Sequence, residues 1–339
     1  MPLKYEDEVI AAVKKLAHSV NSDGKAADLS SLIDITSRLP LTNLESWESL
    51  LRWQFIRTEE CSSSSFRWKF WSKPQPRPKP APPLTWIDIC NRDGFKREKA
   101  LRSLSGAAPN SFFFALVTRR LNDWVPQVRC AARESLPAIA QASDPEHVVD
   151  VLCIILPHWN SWGRMEDADK QVILDTISLK KVAHALKLRI ISTASGPMTS
   201  ILAQTGRTAV LDSHLDEIAQ KAIQPAVRAK AYRCQLEGKM VWFAGKKWQW
   251  TNKPYGKGRL QPILCERALS ATKPFEEILQ LAARDRSPIV RRVAGEMLIR
   301  ELQRVGSEAK NLATMLASDS SPSVAERGRF VLKRLGSAM

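Results

Sequence analysis

One ten-residue pattern occurs four times along this 339-residue chain. Three copies are DWVPQVRCAA at 123–132, AIQPAVRAKA at 222–231 and DRSPIVRRVA at 285–294, and the fourth, at 319–328, begins Asp-Ser-Ser-Pro and continues SVAERG. The shared rule is Asp-x-x-Pro-x-Val-Arg-x-x-Ala, although the second copy begins with Ala and the fourth has Ala and Gly in place of its Arg and last Ala. The prolines are 99, 63 and 34 residues apart, close to multiples of 31 to 34. Such a period indicates stacked supersecondary units, with degenerate copies in between.

The pattern has a physical interpretation as the start of a helix. Proline is tolerated at the first helical position, where its missing N–H costs nothing, and an Asp in the preceding turn can cap the helix. The Val and the small Ala then face a neighbouring helix. Because the Arg can reach back toward the turn, we expect the ion pairs Asp123–Arg129 and Asp285–Arg291.

These segments resemble HEAT repeats, which belong to the armadillo-like superhelical class. The residues that carry the resemblance in the two strongest copies are Asp123, Pro126, Arg129, Asp285, Pro288 and Arg291. The resemblance covers about residues 90–336. It implies an all-α fold, a right-handed α-α superhelix of antiparallel helix pairs whose concave face binds a macromolecule. It does not name the partner.

Composition divides the chain into three parts. Residues 1–57 have apolar residues at helical spacing and are expected to form a small helical unit. Residues 58–85 contain a four-serine run, six prolines and several basic and aromatic side chains, which predicts an extended linker because proline resists both helix and sheet. The same basic and aromatic residues could contact nucleic acid or be merely solvated. Residues 86–339 form the predicted HEAT-repeat solenoid.

Residues 237–262 interrupt the helical pattern. Two stretches rich in aromatic and β-branched residues, 240–243 and 248–251, predict a β-hairpin with a four-residue turn at 244–247. No acidic residue occurs from 238 to 260. Lysine can pair with phosphate and an indole can stack on a base, so we expect nucleic-acid contacts here. The expected contact residues are Lys239, Lys246, Lys247, Trp248, Trp250, Lys253, Lys257 and Arg259. Alternatively, the tryptophans bury the hairpin against the helices and the lysines are solvated.

The sequence contains no motif that we associate with catalysis, a metal or a cofactor. The five histidines lack metal-ligand spacing, and phosphate-binding and nucleophile motifs are missing. Glu166, Asp167 and Asp169 follow Trp159 and Trp162 and could form an active-site rim, but an acidic helix N-terminus is the preferred interpretation. DNA glycosylases for alkylated bases also use HEAT-like repeats, and this chain is similar to them in charge and in repeat class. Their functional residues cannot be matched here, so this resemblance stops at architecture.

The overall charge and the cysteines bear on partners and location. The net charge of +16 favours nucleic acid, an anionic membrane or an acidic protein as a partner. Six scattered cysteines without a C-x-x-C pair indicate free thiols, and no signal-like or membrane-spanning stretch is evident, so we expect a cytoplasmic protein without a membrane or small-molecule partner. The leading hypothesis is a non-catalytic scaffold for nucleic acid or a nucleoprotein complex. A pure protein–protein scaffold and a DNA glycosylase remain as alternatives.

Overall fold

The computed structural model describes residues 5–21, 28–64, 85–270 and 273–336. It is mostly helical, with one two-stranded antiparallel sheet. The helices are α1 (Glu6–Asn21), α2 (Ser30–Ser37), α3 (Leu44–Ser64), α4 (Gly94–Ser103), α5 (Ser111–Arg119), α6 (Pro126–Ala142), α7 (Pro145–Ile155), α8 (Asp167–Ser178), α9 (Lys180–Ser192), α10 (Met198–Thr205), α11 (Leu215–Lys221), α12 (Pro225–Glu237), α13 (Phe275–Ala283), α14 (Pro288–Arg300), α15 (Leu302–Val305), α16 (Glu308–Ala317) and α17 (Pro322–Gly336). The strands are β1 (Lys239–Asn252) and β2 (Lys257–Ala268).

Short 3₁₀ helices complete the inventory, at Leu41–Asn43, Trp86–Cys90, Arg120–Asn122, Trp159–Ser161 and Asp212–His214. Helix α3 continues to Ser64, inside the segment for which the composition predicts a linker, because no proline interrupts the chain before Pro74. The remainder of that segment, 65–84, lies outside the described residues. No helix in the described part of the chain is long and apolar enough to cross a membrane.

The chain divides into two compact units. The first comprises Met1–Ile155 and Trp162–Leu179, and the second comprises Leu156–Ser161 and Lys180–Met339. In the first unit α4 packs on α6 and α6 packs on α8, while α5 packs on α7. In the second unit α12 packs on α14 and α14 on α17, each with a partner helix before it in the chain: α11, α13 and α16.

All four proline-led segments begin a helix, as the pattern predicts. Pro126, Pro225, Pro288 and Pro322 are the first residues of α6, α12, α14 and α17. The valine two residues after each proline is fully buried. In the fourth copy the final position is Gly328, where a Cβ atom would lie 2.2 Å from the main-chain nitrogen of Ala317. This copy therefore has Gly instead of Ala because α16 and α17 approach closely there.

The expected ion pairs within one copy are wrong. Arg129 donates to the main-chain oxygen of Asp123 at 3.0 Å, and Arg291 donates to that of Asp285 at 2.9 Å. The carboxylates instead accept from an arginine of the preceding helix pair. Arg228 binds both carboxylate oxygens of Asp285, and Arg291 binds those of Asp319.

The reason is local geometry. A side chain in the first helical turn points back toward the N-terminus, so the Arg reaches its own turn's carbonyl groups. The Asp carboxylate is turned away from this Arg because it accepts a hydrogen bond from the main-chain N–H of the residue two positions later. The donor is Val125 for Asp123 and Ser287 for Asp285. Arg228 and Arg291 thereby each join two successive helix pairs.

A fifth, degenerate copy lies at the start of α4. Arg97 donates to the main-chain oxygen of Asn91 at 2.9 Å and binds the Asp123 carboxylate at 2.7 Å, which is the pattern that Arg228 and Arg291 also show. Gly94 stands where those copies have proline, and Asn91 stands where they have Asp. Because both signature residues are replaced, the sequence pattern alone does not reveal this copy.

The predicted hairpin is present, but its turn lies elsewhere. Lys246 pairs with Pro262 and Lys247 with Gln261, so both lysines are within the strand rather than in a turn. Ala244 and Gly245 form an irregularity in the ladder, with Gly245 at φ 148°. The chain reverses at 253–256, where Pro254 and the left-handed Gly256 (φ 62°) suit a turn. The insertion therefore extends to Ala268.

Candidate nucleic-acid interface

The base of the hairpin is held in the second unit by a buried residue and an ion pair. Met240 is buried and packs against Gly206, where a Cβ atom would lie 2.3 Å from the Met240 Cγ. Its cross-strand partner Arg267 donates to the main-chain oxygen of Gly206 at 2.7 Å and binds both oxygens of the Asp212 carboxylate. Burial opposes ionisation of Asp212, but the hydrogen bonds from Arg267 and Ser270 hold its pKa below the ordinary value.

A second anchor is the main-chain oxygen of Phe243, which accepts three hydrogen bonds. The donors are Asn160 at 3.0 Å, Gln204 at 2.8 Å and Arg207 at 3.3 Å. The Arg207 guanidinium also lies over the ring of the buried Trp159, 4.5 Å from its centroid, and within 5.8 Å of that of Trp242. These contacts fix the direction in which the rest of the hairpin leaves the helices.

The distal part of the hairpin, from Lys246 to Leu260, is exposed apart from the half-buried Gly258. Directly paired residues share a face of a two-stranded sheet. Trp248 is paired with Leu260 and Trp250 with Gly258, which places both indoles on one face. Their rings meet edge to face with centroids 5.5 Å apart, and about half of each side chain is exposed, 50% and 51%.

Glycine at 258 makes room for this aromatic face. A Cβ atom at Gly258 would lie 2.5 Å from ring atoms of Trp248. Any other residue there would displace the indole. We call the surface formed by Trp248, Trp250 and Leu260 the aromatic face.

The opposite face of the same strands is basic. Gln249 pairs with Arg259 and Asn252 pairs with Lys257, so these residues alternate with the aromatic ones. Lys247, paired with Gln261, belongs to the same side. We call Lys247, Lys257 and Arg259 the basic face. Because no acid occurs between Glu237 and Glu266, the three charges have no carboxylate neighbour within the hairpin strands.

The structure gathers most of the expected contact residues but not all of them. Lys246 lies on the side of the aromatic face and Lys253 lies in the turn. Lys239 is different, because it lies at the base and binds Glu266 across the ladder at 2.8 Å. This hydrogen bond raises the pKa of Lys239. The tryptophans fall into two groups: Trp242 packs at the base of the hairpin, whereas Trp248 and Trp250 are exposed in its distal part.

The acidic cluster after Trp162 is the N-terminus of a helix. Helix α8 begins at Asp167, and the Asp169 carboxylate accepts the main-chain N–H of Glu166 at 2.9 Å in a capping box. Asp169 is fully buried and also binds Arg133 at 2.9 Å, while the exposed Asp167 binds Lys170. Trp159 is buried. These contacts agree with the preferred interpretation as helix-stabilising charges.

Sequence reasoning missed a cleft in the first unit. It has a volume of about 800 Å³ and is lined by six arginines, two tryptophans and three carboxylates. The arginines come from four separate stretches of sequence, so no local pattern could reveal the cleft. Its main members are Arg52, Arg92, Arg97, Arg119, Arg120, Arg164, Trp124 and Trp162.

Metal-binding groups and known relatives give no further guide to the site. In the described ranges no cluster of three or more His, Cys, Asp or Glu residues could hold a metal ion. Cys90, Cys130, Cys153, Cys234 and Cys265 are free thiols. No protein-family model matches this chain, and no curated protein matches it either.

Proposed function

We propose that this chain is a HEAT-repeat scaffold that binds nucleic acid through the distal hairpin. The observation that carries the proposal is the division of the distal part of the hairpin, which is exposed and contains no acidic residue, into an aromatic face and a basic face. Within each unit, we take the helix pairs as HEAT-type repeats of a right-handed α-α superhelix. The recurring Arg–Asp link between successive pairs supports this interpretation.

The two faces suit different parts of a nucleic acid. Exposed indoles can stack on bases without regard to sequence, and each stacked base is worth about 1–3 kcal/mol. Lys247, Lys257 and Arg259 can pair with phosphates, which supply affinity that depends strongly on salt. Since the indoles need an unpaired base, single-stranded DNA or RNA is the preferred ligand over a duplex.

The test is binding of a labelled single-stranded oligonucleotide to the full chain over a range of salt concentrations. Removing Lys247, Lys257 and Arg259 together by substitution with Ala should weaken binding and reduce the salt slope by about 2, since each lost phosphate contact on a single strand contributes about 0.7. The matched control removes three exposed lysines elsewhere: Lys99, Lys180 and Lys310.

An unchanged slope in the hairpin variant, or an equal loss in the control, would show that general charge and not the hairpin binds the strand. Absence of any binding to single-stranded or duplex nucleic acid would refute the proposal outright.

A protein partner is the second candidate. Leu260 and Leu264 are more than half exposed on the hairpin and lie on the same side as the exposed Trp248 and Trp250, so together they offer an apolar surface to a protein partner. A partner that co-purifies with the full chain, and that is lost when Leu260 and Leu264 are replaced by Ser, would favour this candidate if oligonucleotide binding is absent.

A further inference from the structure

The arginine-lined cleft of the first unit carries a net positive charge. Six arginine side chains line it, against the three carboxylates of Glu45, Glu48 and Asp123. All of these residues belong to the first unit. The cleft is therefore a separate feature from the hairpin and calls for its own explanation.

The carboxylates are already committed to arginines inside the cleft. Glu48 binds Arg52 at 2.7 Å, Arg119 at 3.0 Å, and also Arg120. Asp123 binds Arg97 at 2.7 Å and Arg120 at 2.9 Å.

These pairs lie at the floor of the cleft. The side chains of Glu48, Arg120 and Asp123 are each 5% exposed or less. Burial opposes ionisation of Asp123, but Arg97 and Arg120 keep its pKa below the ordinary value, so its charge persists at neutral pH. Among the described residues the buried Nε of Arg120 has no hydrogen-bond partner. Both carboxylates of the floor are thus bound to arginines, and Arg92 and Arg164 lie outside these pairs at the rim.

Two arginines of the rim are available to a ligand. Arg92 is exposed, and neither it nor Arg164 forms an ion pair within the described residues. The Arg164 guanidinium is stacked on the ring of Trp124, 3.4 Å from its centroid. The main-chain N–H of Arg164 is held by the Asn122 side chain at 3.0 Å. Stacking on an indole covers the face of a guanidinium and leaves its edge, which carries the N–H groups, free to bind an anion.

The rim also offers an aromatic surface. Trp124 is 78% exposed although Arg164 covers part of it, and Trp162 lines the same cleft. An indole exposed to this extent beside unpaired arginines suits a ligand that combines a flat ring with an anionic group. Arginine matches phosphate in particular, because its fork of donors can bind two oxygens at once.

We propose that this cleft binds a nucleoside phosphate, either free or as the terminal nucleotide of a single strand. Arg92 and Arg164 bind the phosphate, and the base lies against Trp124 or Trp162. The site is independent of the hairpin and extends the function beyond strand binding.

The experiment measures binding by calorimetry with the full chain and six probes. These are adenosine 5′-monophosphate, adenosine, inorganic phosphate, a ten-nucleotide oligoadenylate with a 5′-phosphate, the same strand without it, and an oligoglutamate peptide. We expect adenosine monophosphate to bind more tightly than adenosine or phosphate alone, because only it engages both the rim arginines and the indoles. Because the hairpin is also expected to bind a strand, the two strands are compared with each other. Tighter binding of the 5′-phosphorylated strand than of the unphosphorylated one identifies a strand end as the source, and equal binding of the two strands identifies a free nucleotide.

Variants locate the binding. Replacing Arg92 and Arg164 by Gln should weaken adenosine monophosphate binding by about tenfold or more, since charge-assisted hydrogen bonds are lost. Trp124→Ala should reduce the ratio by which adenosine monophosphate binds more tightly than inorganic phosphate. The matched control replaces the exposed Arg286 and Arg329 by Gln and should leave binding within about twofold of the parent protein.

Four results would overturn the proposal: no binding of any phosphate probe, unchanged binding in the rim variant, inorganic phosphate binding as tightly as the monophosphate, or tighter binding of an oligoglutamate peptide. Two further measurements distinguish failure of the cleft proposal from failure of the hairpin proposal. The basic-face variant described above should retain adenosine monophosphate binding, and the rim variant should retain binding to the unphosphorylated strand.

Discussion

Arg228 and Asp285 form a two-pronged ion pair in which both N···O distances are 2.9 Å and both side chains are nearly buried. The same guanidinium donates to the main-chain oxygens of Ala222 and Ile223. Arg228 therefore ties the turn before α12 to the turn before α14. The Arg97–Asp123 and Arg291–Asp319 pairs do the same between their own helices.

This link predicts a large effect on stability. Arg228→Ala leaves the Asp285 carboxylate buried without its partner, so we expect the free energy of unfolding to fall by about 3–5 kcal/mol. The control Arg292→Ala removes an arginine that is half exposed, and it should change the free energy of unfolding by less than about 1 kcal/mol. Urea unfolding followed by circular dichroism measures both. A loss below about 1 kcal/mol for Arg228→Ala would contradict the structural role.

Close approach of α16 and α17 predicts an unusual effect of alanine. Gly328→Ala should destabilise the second unit by about 1–3 kcal/mol, because the added methyl group would meet the backbone of Leu316 and Ala317. In an open helical position the same change is favourable by up to about 1 kcal/mol. Gly336→Ala, with nothing within 4 Å, is the matched control. Thermal midpoints that do not separate the two variants would refute the packing argument.

The anchor of the hairpin predicts sensitivity to acid. Burial opposes ionisation of Asp212, but Arg267 and Ser270 lower its folded pKa below the unfolded value of about 3.9. A lowered folded pKa stabilises the protein above the unfolded pKa, and this contribution is lost as the pH falls through the folded value. We therefore expect the thermal unfolding midpoint of the protein to decrease when the pH is lowered below about 4. The Asp212→Asn variant should be less stable at pH 7 and show a flatter decline below pH 4; a decline parallel to that of the parent would argue against this anchor.

The exposed indoles predict a specific loss of oligonucleotide affinity. Replacing Trp248 and Trp250 by Ala should weaken binding of a single strand by about 1–3 kcal/mol for each base that is no longer stacked. Because no phosphate contact is removed, the dependence of binding on salt should stay the same. Trp53→Ala removes an indole of similar exposure in the first unit and serves as control. Equal losses in both variants, measured by fluorescence anisotropy, would exclude the aromatic face.

Features that depend on neighbouring residues could be predicted from the sequence. Pro126, Pro225, Pro288 and Pro322 each begin a helix because a fixed φ and a missing N–H suit the first turn wherever it occurs. The hairpin was also predictable, since its glycines and aromatic residues disfavour helix and favour strand. The position of its turn was not, because the Ala244–Gly245 irregularity mimics a turn locally and only cross-strand pairing distinguishes the two.

Partners distant in sequence were decided by the tertiary structure alone. The sequence places an Arg and an Asp in each of the two strongest copies, but Asp285 binds Arg228, which lies 57 residues earlier, and Arg291 binds Asp319, which lies 28 residues later. The cleft likewise needs Glu48, Arg120 and Arg164, which only packing brings together. Helix starts follow from bonds within a turn, whereas ion-pair choice and cavity shape follow from how whole helices pack.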